Sequence, residues 1–309
     1  MSNQSIQLTI GTELSLISQD NPSQRTLEVI IRPPETRQNK PRPKLNLALV
    51  LDRSGSMSGE KLAYVKEAAR HLIDLMTEQD RVAVVAYDDN VTHVVASSLI
   101  TPETRQKMIR SIQEIRTGGS TNLGDGWLTG CGDVAANHVE GAVERTLLLT
   151  DGLANVGIVN LEELSSHAQE LYHKGVSTST FGVGTDYNEH LLEAIADSGG
   201  GFYYYIDSPQ KIPSIFAQEF KDLMEITARD VELSLELPAG VSARVLGAWK
   251  SESSSGKLRV VIGALQAGRA QPIYLSLNFP SADTRKEIPL NVKVMARGEG
   301  DQEIGRAHV

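Results

Sequence analysis

Hydrophobic and polar positions follow two different periods along the chain. Between residues 5 and 32, apolar residues alternate with polar ones, which is the period of a half-buried β-strand, so two or three strands are predicted there. The apolar positions of this segment are Ile6, Leu8, Ile10, Leu14, Leu16, Leu27, Val29 and Ile31. A proline-rich polar stretch, residues 33–43, follows and is predicted to be an interdomain linker.

From residue 45 to about residue 224, predicted strands alternate with predicted helices. Residues 45–51 are apolar except for Asn46, which is typical of a strand buried on both faces of a parallel sheet. An amphipathic helix follows, with Ser58 as its predicted N-cap and an apolar face formed by Leu62, Val65, Ala69, Leu72, Ile73 and Met76. Further strands are predicted at 81–87, 91–96, 145–150, 176–184 and 201–206, the first two as a hairpin. Six strands joined by helices on both faces predict a doubly wound, mostly parallel α/β sheet.

The period returns to two after residue 227, where about five antiparallel strands are predicted. That number is small for a β-sandwich, but the N-terminal strands raise it to about seven or eight, which is usual for that fold. We therefore expect residues 1–43 and 227–309 to build one β-sandwich, into which an α/β domain of residues 44–226 is inserted.

Composition and charge narrow the function classes. The 309 residues carry a net charge of −9, which argues against a general binder of nucleic acids or anionic membranes. Cys131 is the sole cysteine of the sequence, so no internal disulfide can form. The N-terminus lacks a basic start followed by an apolar run, and no apolar stretch approaches the roughly 18 residues of a membrane span. A cytoplasmic protein without a membrane span is therefore expected.

Side chains with oxygen donors follow the ends of two predicted buried strands. Asp52, Ser54 and Ser56 come directly after the first of these strands, and Asp151 follows the other in a Thr-Asp-Gly sequence. Thr121 lies in a Gly-Gly-Ser-Thr-Asn stretch that opens a predicted helix. Because open α/β sheets hold their ligands at the carboxyl ends of the strands, we expect these five side chains to lie close together. Mg²⁺ and Ca²⁺ prefer oxygen ligands, so the sequence predicts a site for a divalent metal ion.

The donor set indicates an incompletely ligated ion. Three of the five side chains are neutral hydroxyls, and only two are carboxylates that compensate the charge of a cation. The ion is therefore expected to keep electrophilic character and an open position, which a carboxylate from a partner can fill. Mg²⁺ is the expected ion, with Mn²⁺ and Ca²⁺ as alternatives.

These residues and their order resemble the von Willebrand factor type A (VWA) domain family, whose metal-ion-dependent adhesion site has an Asp-x-Ser-x-Ser motif, then a threonine, then an aspartate. Asp52, Ser54 and Ser56 match the motif, Thr121 matches the threonine, and Asp151 matches the aspartate. The likeness covers residues 45 to about 224, and the flanking β segments look like those of bacterial and inter-α-trypsin-inhibitor-type members. The resemblance implies a Rossmann-like fold and a metal that bridges to an acidic residue of a protein ligand, with little catalysis of its own.

Other interpretations of single residues stay open at the level of sequence. Asp52 or Thr121 can simply cap a helix, and the two serines of the motif can be turn residues. Asp88 and Asp89 lie near the same sheet edge, but a solvated hairpin turn is favoured over a second metal site. Met57, directly after the motif, can be an exposed apolar contact on the rim of the site or can pack beneath the loop.

Enzyme functions are disfavoured by the residues around the predicted site. A phosphatase that uses Asp52 as its nucleophile needs a carboxylate two residues later, where this chain has Ser54. A serine hydrolase needs Gly-x-Ser-x-Gly, and the segment from Gly55 to Gly59 has Met57 at the central position. The sequence contains no nucleotide-binding glycine loop. A metal-dependent protein-binding module is therefore expected rather than an enzyme, while a structural scaffold with an unused metal site, or a metal-dependent hydrolase, stays as the alternative.

Overall fold

The computed structural model describes residues 6–18, 20–33, 42–247, 249–281, 288–298 and 300–308. Residues 34–41 of the predicted linker lie outside this part of the chain. The described residues of Met1–Lys40 and Glu225–Val309 form one compact unit, and those of Pro41–Met224 form the other. Within the described residues, no helix combines the length and the apolar character needed to cross a lipid bilayer.

The elements follow one another in the chain as strands, then alternating strands and helices, then strands. The strands are β1 (Gln7–Thr12), β2 (Ser23–Arg32), β3 (Leu45–Asp52), β4 (Arg81–Tyr87), β5 (Val91–Leu99), β6 (Val143–Thr150), β7 (Ser177–Val183), β8 (Gly200–Ile206), β9 (Ile226–Glu236), β10 (Ser242–Leu246), β11 (Ser251–Ser254), β12 (Lys257–Gln266), β13 (Gln271–Phe279), β14 (Asn291–Gly298) and β15 (Gly300–His308). The α-helices are α1 (Glu60–Leu75), α2 (Pro102–Gln113), α3 (Leu123–Ala136), α4 (Leu161–His173), α5 (Glu189–Ser198) and α6 (Ile212–Met224).

The α/β unit is built on a six-stranded sheet in the order β5-β4-β3-β6-β7-β8. Neighbouring strands are parallel except for β5, which folds back antiparallel on β4 through the predicted hairpin. The predicted fold class, a mostly parallel six-stranded α/β sheet flanked by helices, is confirmed. Because Asp52 pairs with Tyr87 and Leu51 pairs with Leu149, the strands β3, β4 and β6 end at the same edge of the sheet.

The core of this unit consists of buried strands covered closely by helices. Every residue of β3 and β6 is buried, including polar residues such as Asn46 and Arg145. Helix α3 lies so near the sheet that a Cβ atom on Gly130 would be 2.3 Å from Cγ2 of Val50. Trp127, on the same helix, is fully buried and donates its indole N–H to Oγ1 of Thr178 (3.1 Å).

A buried ion pair joins α6 to the sheet. The fully buried carboxylate of Glu219 accepts hydrogen bonds from Nη1 of Arg145 (3.0 Å), Oγ of Ser179 (2.7 Å) and the hydroxyl of Tyr204 (2.6 Å). Arg145 also donates from Nε to Oγ of Ser177 (2.9 Å). Burial, together with the Glu219 carboxylate, raises the pKa of Tyr204 above its ordinary value, so the phenol remains a hydrogen-bond donor.

The other unit consists of two antiparallel sheets built from both ends of the chain. One sheet has the order β1-β2-β13-β10, and the second has the order β11-β12-β9-β14-β15. In the first sheet the N-terminal strand β2 pairs from Ser23 to Ile31 with the C-terminal strand β13. Buried residues from both sheets share one hydrophobic cluster, to which β2, β9, β12, β13 and β14 contribute.

The number of C-terminal strands was underestimated. The described residues there form β9 to β15, whereas the alternation predicted about five strands. The short strand β11 has four exposed residues and therefore shows no alternation, and the polar strand β15 is held by backbone pairing with β14. At the N-terminus, Leu14 and Leu16 are 59% and 77% exposed and lie outside β1 and β2, so the alternation did not continue as a strand.

The prediction that Ser58 caps the first long helix was wrong. Helix α1 begins after Gly59, which has a positive φ of 77° and offers no side-chain cap. A short 3₁₀ turn, Gly55–Met57, comes first and leaves Ser58 in an extended conformation. Met57 is fully buried, so it packs beneath the loop and is not an apolar contact on the rim.

Candidate metal centre

The candidate site lies where the strand order reverses. After β3 the chain proceeds to β4 on one side and then returns to the other side of β3 with β6. Ligands of open α/β sheets bind in the crevice at such a point, because the loops on its two sides lead away from each other. Asp52 is the last residue of β3, and Asp151 directly follows the last residue of β6.

The Asp52 carboxylate is fully buried and is hydrogen-bonded through both oxygens. Oδ1 accepts the backbone N–H of Ser54 (2.8 Å), and Oδ2 accepts the hydroxyl of Thr150 (2.5 Å). Burial raises the pKa of Asp52 to about 6, while the hydrogen bonds from Thr150 and Ser54 act in the opposite direction. A nearby cation favours the charged form of such a carboxylate.

The two serines of the motif and Asp151 form a continuous chain of hydrogen bonds. The Oγ atoms of Ser54 and Ser56 are 3.1 Å apart, and Ser56 donates its hydroxyl to Oδ1 of Asp151 (2.7 Å). Ser54 and Asp151 are buried, whereas Ser56 is exposed. The site therefore reaches the protein surface at Ser56.

Thr121 comes from a third loop and borders the same space. A Cβ atom built on Gly152 would lie 3.5 Å from Oγ1 of Thr121 and 3.6 Å from Oγ of Ser56. The absence of a side chain at Gly152 therefore leaves room beside both hydroxyls. Thr121 does not cap α3, because the N-cap is Asn122, whose side chain accepts the backbone N–H of Asp125 (3.4 Å).

Hydrogen bonds between the loops fix their relative positions. The N–H of Gly55 donates to the carbonyl of Gly119 (2.9 Å), which joins the first loop to the threonine loop. Oδ1 of Asn155 accepts the N–H of Thr121 (3.0 Å), and the N–H of Asn155 donates to the carbonyl of Thr121 (3.2 Å). The loop after β6 is thereby joined to the threonine loop through Asn155, a residue that the sequence reasoning missed.

The acidic residues of the β4–β5 turn pack against the glycine pair. Asp88 is buried and accepts hydrogen bonds from the N–H of Asn90 (2.8 Å) and from Nη2 of Arg53 (3.3 Å). A Cβ atom on Gly118 would lie 1.6 Å from Oδ2 of Asp88, so this close approach requires glycine. The expected solvated turn is therefore wrong for Asp88, whereas Asp89 is exposed.

Lys61 also enters the site, although the sequence reasoning missed it. This residue lies in the first turn of α1, and its ammonium group forms an ion pair with Oδ2 of Asp151. Helices favour acidic rather than basic residues in the first turn, because the helix dipole is positive at that end. A lysine at this position was therefore a usable signal of a second role.

The five predicted side chains fit a hard divalent cation. They are brought together from three loops, and all of them offer carboxylate or hydroxyl oxygens, which are the ligands that Mg²⁺, Mn²⁺ and Ca²⁺ prefer. The two carboxylates outnumber the single ammonium group of Lys61, so an uncompensated negative charge remains at a mostly buried position. Room beside Gly152 lies between two of the hydroxyls.

Comparison with known proteins gives matches in sequence. The family model of the von Willebrand factor type A domain matches residues 46–218. The uncharacterized protein YfbK of Escherichia coli (strain K12) is 32% identical over 222 residues, which is 71% of this chain and 38% of YfbK. Human inter-alpha-trypsin inhibitor heavy chain H3 is 31% identical over 166 residues, which is 51% of this chain and 18% of that protein. The chain thus spans well under two thirds of the length of these relatives.

A solved structure matches nearly the whole chain. The structure described as von Willebrand factor type A from Catenulispora acidiphila superposes with a TM-score of 0.78 and covers 99% of this chain and 73% of its own chain. At 19% sequence identity, this match shows a common fold.

Proposed function

The chain belongs to the von Willebrand factor type A domain family, and from that premise we propose that it is a protein-binding module whose divalent cation ligates an acidic residue of a partner. VWA domains are commonly metal-dependent protein-interaction modules. In the proposal, Asp52, Ser54, Ser56, Thr121 and Asp151 hold the ion. Mg²⁺ is the first candidate, and Mn²⁺ and Ca²⁺ are the alternatives.

The observation that carries the proposal is the continuity of the oxygen donors. Oγ of Ser56 lies 3.1 Å from Oγ of Ser54 and 2.7 Å from Oδ1 of Asp151, and it borders the same space beside Gly152 as Thr121 does. Donors from separate loops that share one space can act as ligands of one ion. A scaffold with an unused site predicts instead that no metal-dependent change occurs.

The chemistry of the donors favours an acidic partner. When bound, the cation supplies positive charge at a site that reaches the surface beside Ser56. Hydroxyl groups hold an ion without neutralising it, so the two aspartates are the anionic donors of the proposed set. A carboxylate from a partner is a further anionic oxygen ligand, which a hard divalent cation prefers at its open position.

A metal-dependent hydrolase is the alternative function. The hydroxyls of Ser54 and Ser56 contact each other, and Ser56 donates to Asp151. A serine nucleophile needs its hydroxyl oriented toward a general base, most often a histidine, whereas the acceptor here is the carboxylate of Asp151, whose other oxygen is already paired with the ammonium group of Lys61. The buried hydrogen bonds of Asp52 are better suited to holding a carboxylate still than to presenting it to a substrate. These contacts favour binding over catalysis.

Calorimetric titration of the metal-stripped chain with Mg²⁺, Mn²⁺ and Ca²⁺ tests the proposed ion site. We expect one saturable site in the wild type and its loss in Asp52→Ala and Asp151→Ala, because each change removes an anionic donor. The matched control is Asp74→Ala, which removes the same charge from an exposed ion pair with Arg70 on α1 and should bind like the wild type. Thermal unfolding verifies that each variant is folded. Unchanged affinity in both site variants would overturn the assignment.

A second variant leaves every proposed ligand in place. Gly152→Ala adds one methyl group at ordinary contact distance from the hydroxyls of Thr121 and Ser56. The change is expected to weaken metal binding while the protein stays folded, because it fills the space between the donors. Binding as tight as in the wild type would mean that the ion does not use this space.

The partner is tested by capture in the presence of Mg²⁺ and in the presence of a chelator. Retention that requires the metal is expected, and replacing the partner's acidic residues one at a time by alanine should identify one whose loss abolishes binding. Intact binding by all of these partner variants would contradict the bridging carboxylate. Turnover of generic phosphate or ester substrates that Asp52→Ala abolishes would support the hydrolase instead.

A further inference from the structure

Lys61 places a positive charge inside the candidate metal site. Its ammonium group is paired with Oδ2 of Asp151, whose side chain is fully buried, whereas the side chain of Lys61 is 28% exposed. The other oxygen of Asp151 accepts the hydroxyl of Ser56 (2.7 Å). Both carboxylate oxygens are therefore engaged, one by a proposed metal ligand and the other by a cation of the chain itself.

The helix that carries Lys61 does not account for this residue. A cation in the first turn of α1 lies near the positive end of the helix dipole and is unfavourable there. A partly buried ammonium group also loses part of its hydration. The ion pair with Asp151 is the contact that offsets both costs, so the site, and not the helix, explains the lysine.

A count of charges gives the lysine a consequence for binding. Asp52 and Asp151 bring two negative charges and Lys61 brings one positive charge, so the site carries −1 before an ion binds. Arg53 and Asp88 form a separate pair at 3.3 Å and cancel each other. A divalent ion changes the site to +1, and one carboxylate from a partner then makes it neutral. Without Lys61, the metal-loaded site would already be neutral.

We propose that Lys61 is the internal counter-ion of the site: it weakens binding of a divalent cation alone and leaves the metal-loaded site with a positive charge for a partner's carboxylate. This inference rests on the proposed function and concerns the regulation of the same site. The cation and the carboxylate then bind cooperatively, and by linkage each raises the affinity of the other by the same factor. Lys61 thereby favours the complete assembly over a site filled by metal alone.

Removing the positive charge of Lys61 is expected to change the affinity for the metal ion and the benefit from a carboxylate in opposite directions. In Lys61→Gln the cation no longer meets a neighbouring ammonium group, and the affinity for Mn²⁺ alone is expected to rise by about tenfold. The metal-loaded variant is neutral, so a carboxylate probe gains less from it. Acetate should therefore tighten Mn²⁺ binding less in Lys61→Gln than in the wild type.

The experiment is a calorimetric titration with Mn²⁺ in sodium chloride and in sodium acetate at equal ionic strength. Acetate removes the same amount of free Mn²⁺ in every titration, so the comparison between proteins isolates the effect at the site. Lys61→Arg keeps the charge and should stay close to the wild type. Lys107→Gln is the matched control, because it removes the same charge from an exposed pair with Glu103 on α2. Thermal unfolding verifies folding.

The outcomes distinguish this inference from the proposed function. Tighter Mn²⁺ binding with a smaller acetate effect in Lys61→Gln alone supports the counter-ion. Affinity in Lys61→Gln that is equal to or weaker than in the wild type overturns it, while the metal site stands if Asp52→Ala still abolishes binding. If neither the wild type nor Lys61→Gln binds Mn²⁺, both proposals fail.

Discussion

Replacing Glu219 by alanine is expected to lower the free energy of unfolding of the α/β unit by about 3–5 kcal/mol. The fully buried carboxylate accepts hydrogen bonds from Arg145 (3.0 Å), Ser179 (2.7 Å) and Tyr204 (2.6 Å). Its removal leaves the guanidinium of Arg145, which is 2% exposed, without an anion. A buried charged group that loses its partner keeps the cost of its lost hydration.

A second substitution shows whether the unpaired charge causes this loss. The pair Arg145→Met and Glu219→Leu replaces both ions with apolar side chains of similar length. Buried ion pairs can often be replaced in this way at little cost, so the double variant should be about 2 kcal/mol more stable than the sum of the single changes predicts. If the loss of stability in the double variant equals the sum of the losses in the two single variants, the electrostatic part of the reasoning is refuted.

Urea unfolding followed by tryptophan fluorescence measures these changes. Trp127 is fully buried in the α/β unit and reports on its unfolding, and Trp249→Phe in every variant leaves Trp127 as the only tryptophan. The matched control is Glu193→Ala at an exposed position of α5, which should stay within about 0.5 kcal/mol of the parent. A loss of less than about 1 kcal/mol in Glu219→Ala would refute the reasoning, because it would show that the guanidinium can be rehydrated in the folded protein.

Two further predictions concern α3. Gly130→Ala should destabilise the protein by more than about 1 kcal/mol, because the added Cβ atom would lie 2.3 Å from Cγ2 of Val50. Gly132→Ala should instead stabilise the protein by about 0.5–1 kcal/mol, because no atom lies within 4 Å of the added carbon and alanine favours the helix over glycine. Urea midpoints of the two variants check this difference in sign. Burial raises the pKa of the Cys131 thiol from 9.0 to about 12, so on raising the pH the thiol ionises in the unfolded protein before it ionises in the folded protein. The free energy of unfolding of the wild type, relative to that of Cys131→Ala, should therefore fall as the pH rises above about 9. Measurement of the free energy of unfolding of both proteins from pH 8 upward tests this effect. If that free energy changes equally with pH in the two proteins, the prediction is contradicted.

The α/β sheet was predictable because its signal is local. The strands β3 and β6 are buried on both faces, and residues 47–51 and 147–149 within them form apolar runs that are readable without any knowledge of their neighbours. The helices between them carry one apolar face each, which has the period of an α-helix. The strand count of the second unit was less predictable, because β11 is exposed along its length and β15 is polar. Such strands are held by backbone hydrogen bonds, and every residue except proline offers both a backbone donor and a backbone acceptor.

The five candidate ligands could be named together from the sequence, since parallel strands place their carboxyl ends at one edge. The contacts around them could not be named. Asn155 joins two loops through Thr121, and Lys61 reaches Asp151 from the start of α1. Neither residue belongs to a motif, and each is far in the chain from the residue it contacts.

The sequence by itself determined the fold class of the α/β unit and the chemical types of the proposed donors, because apolar periodicity and side-chain oxygens are properties of single segments. Only the tertiary structure decided that Met57 and Asp88 are buried, that α1 begins after Gly59, and that Lys61 pairs with Asp151. These features depend on the distance between groups that lie far apart in the chain. That distance is set by packing and by pairing between loops, and no local pattern records it.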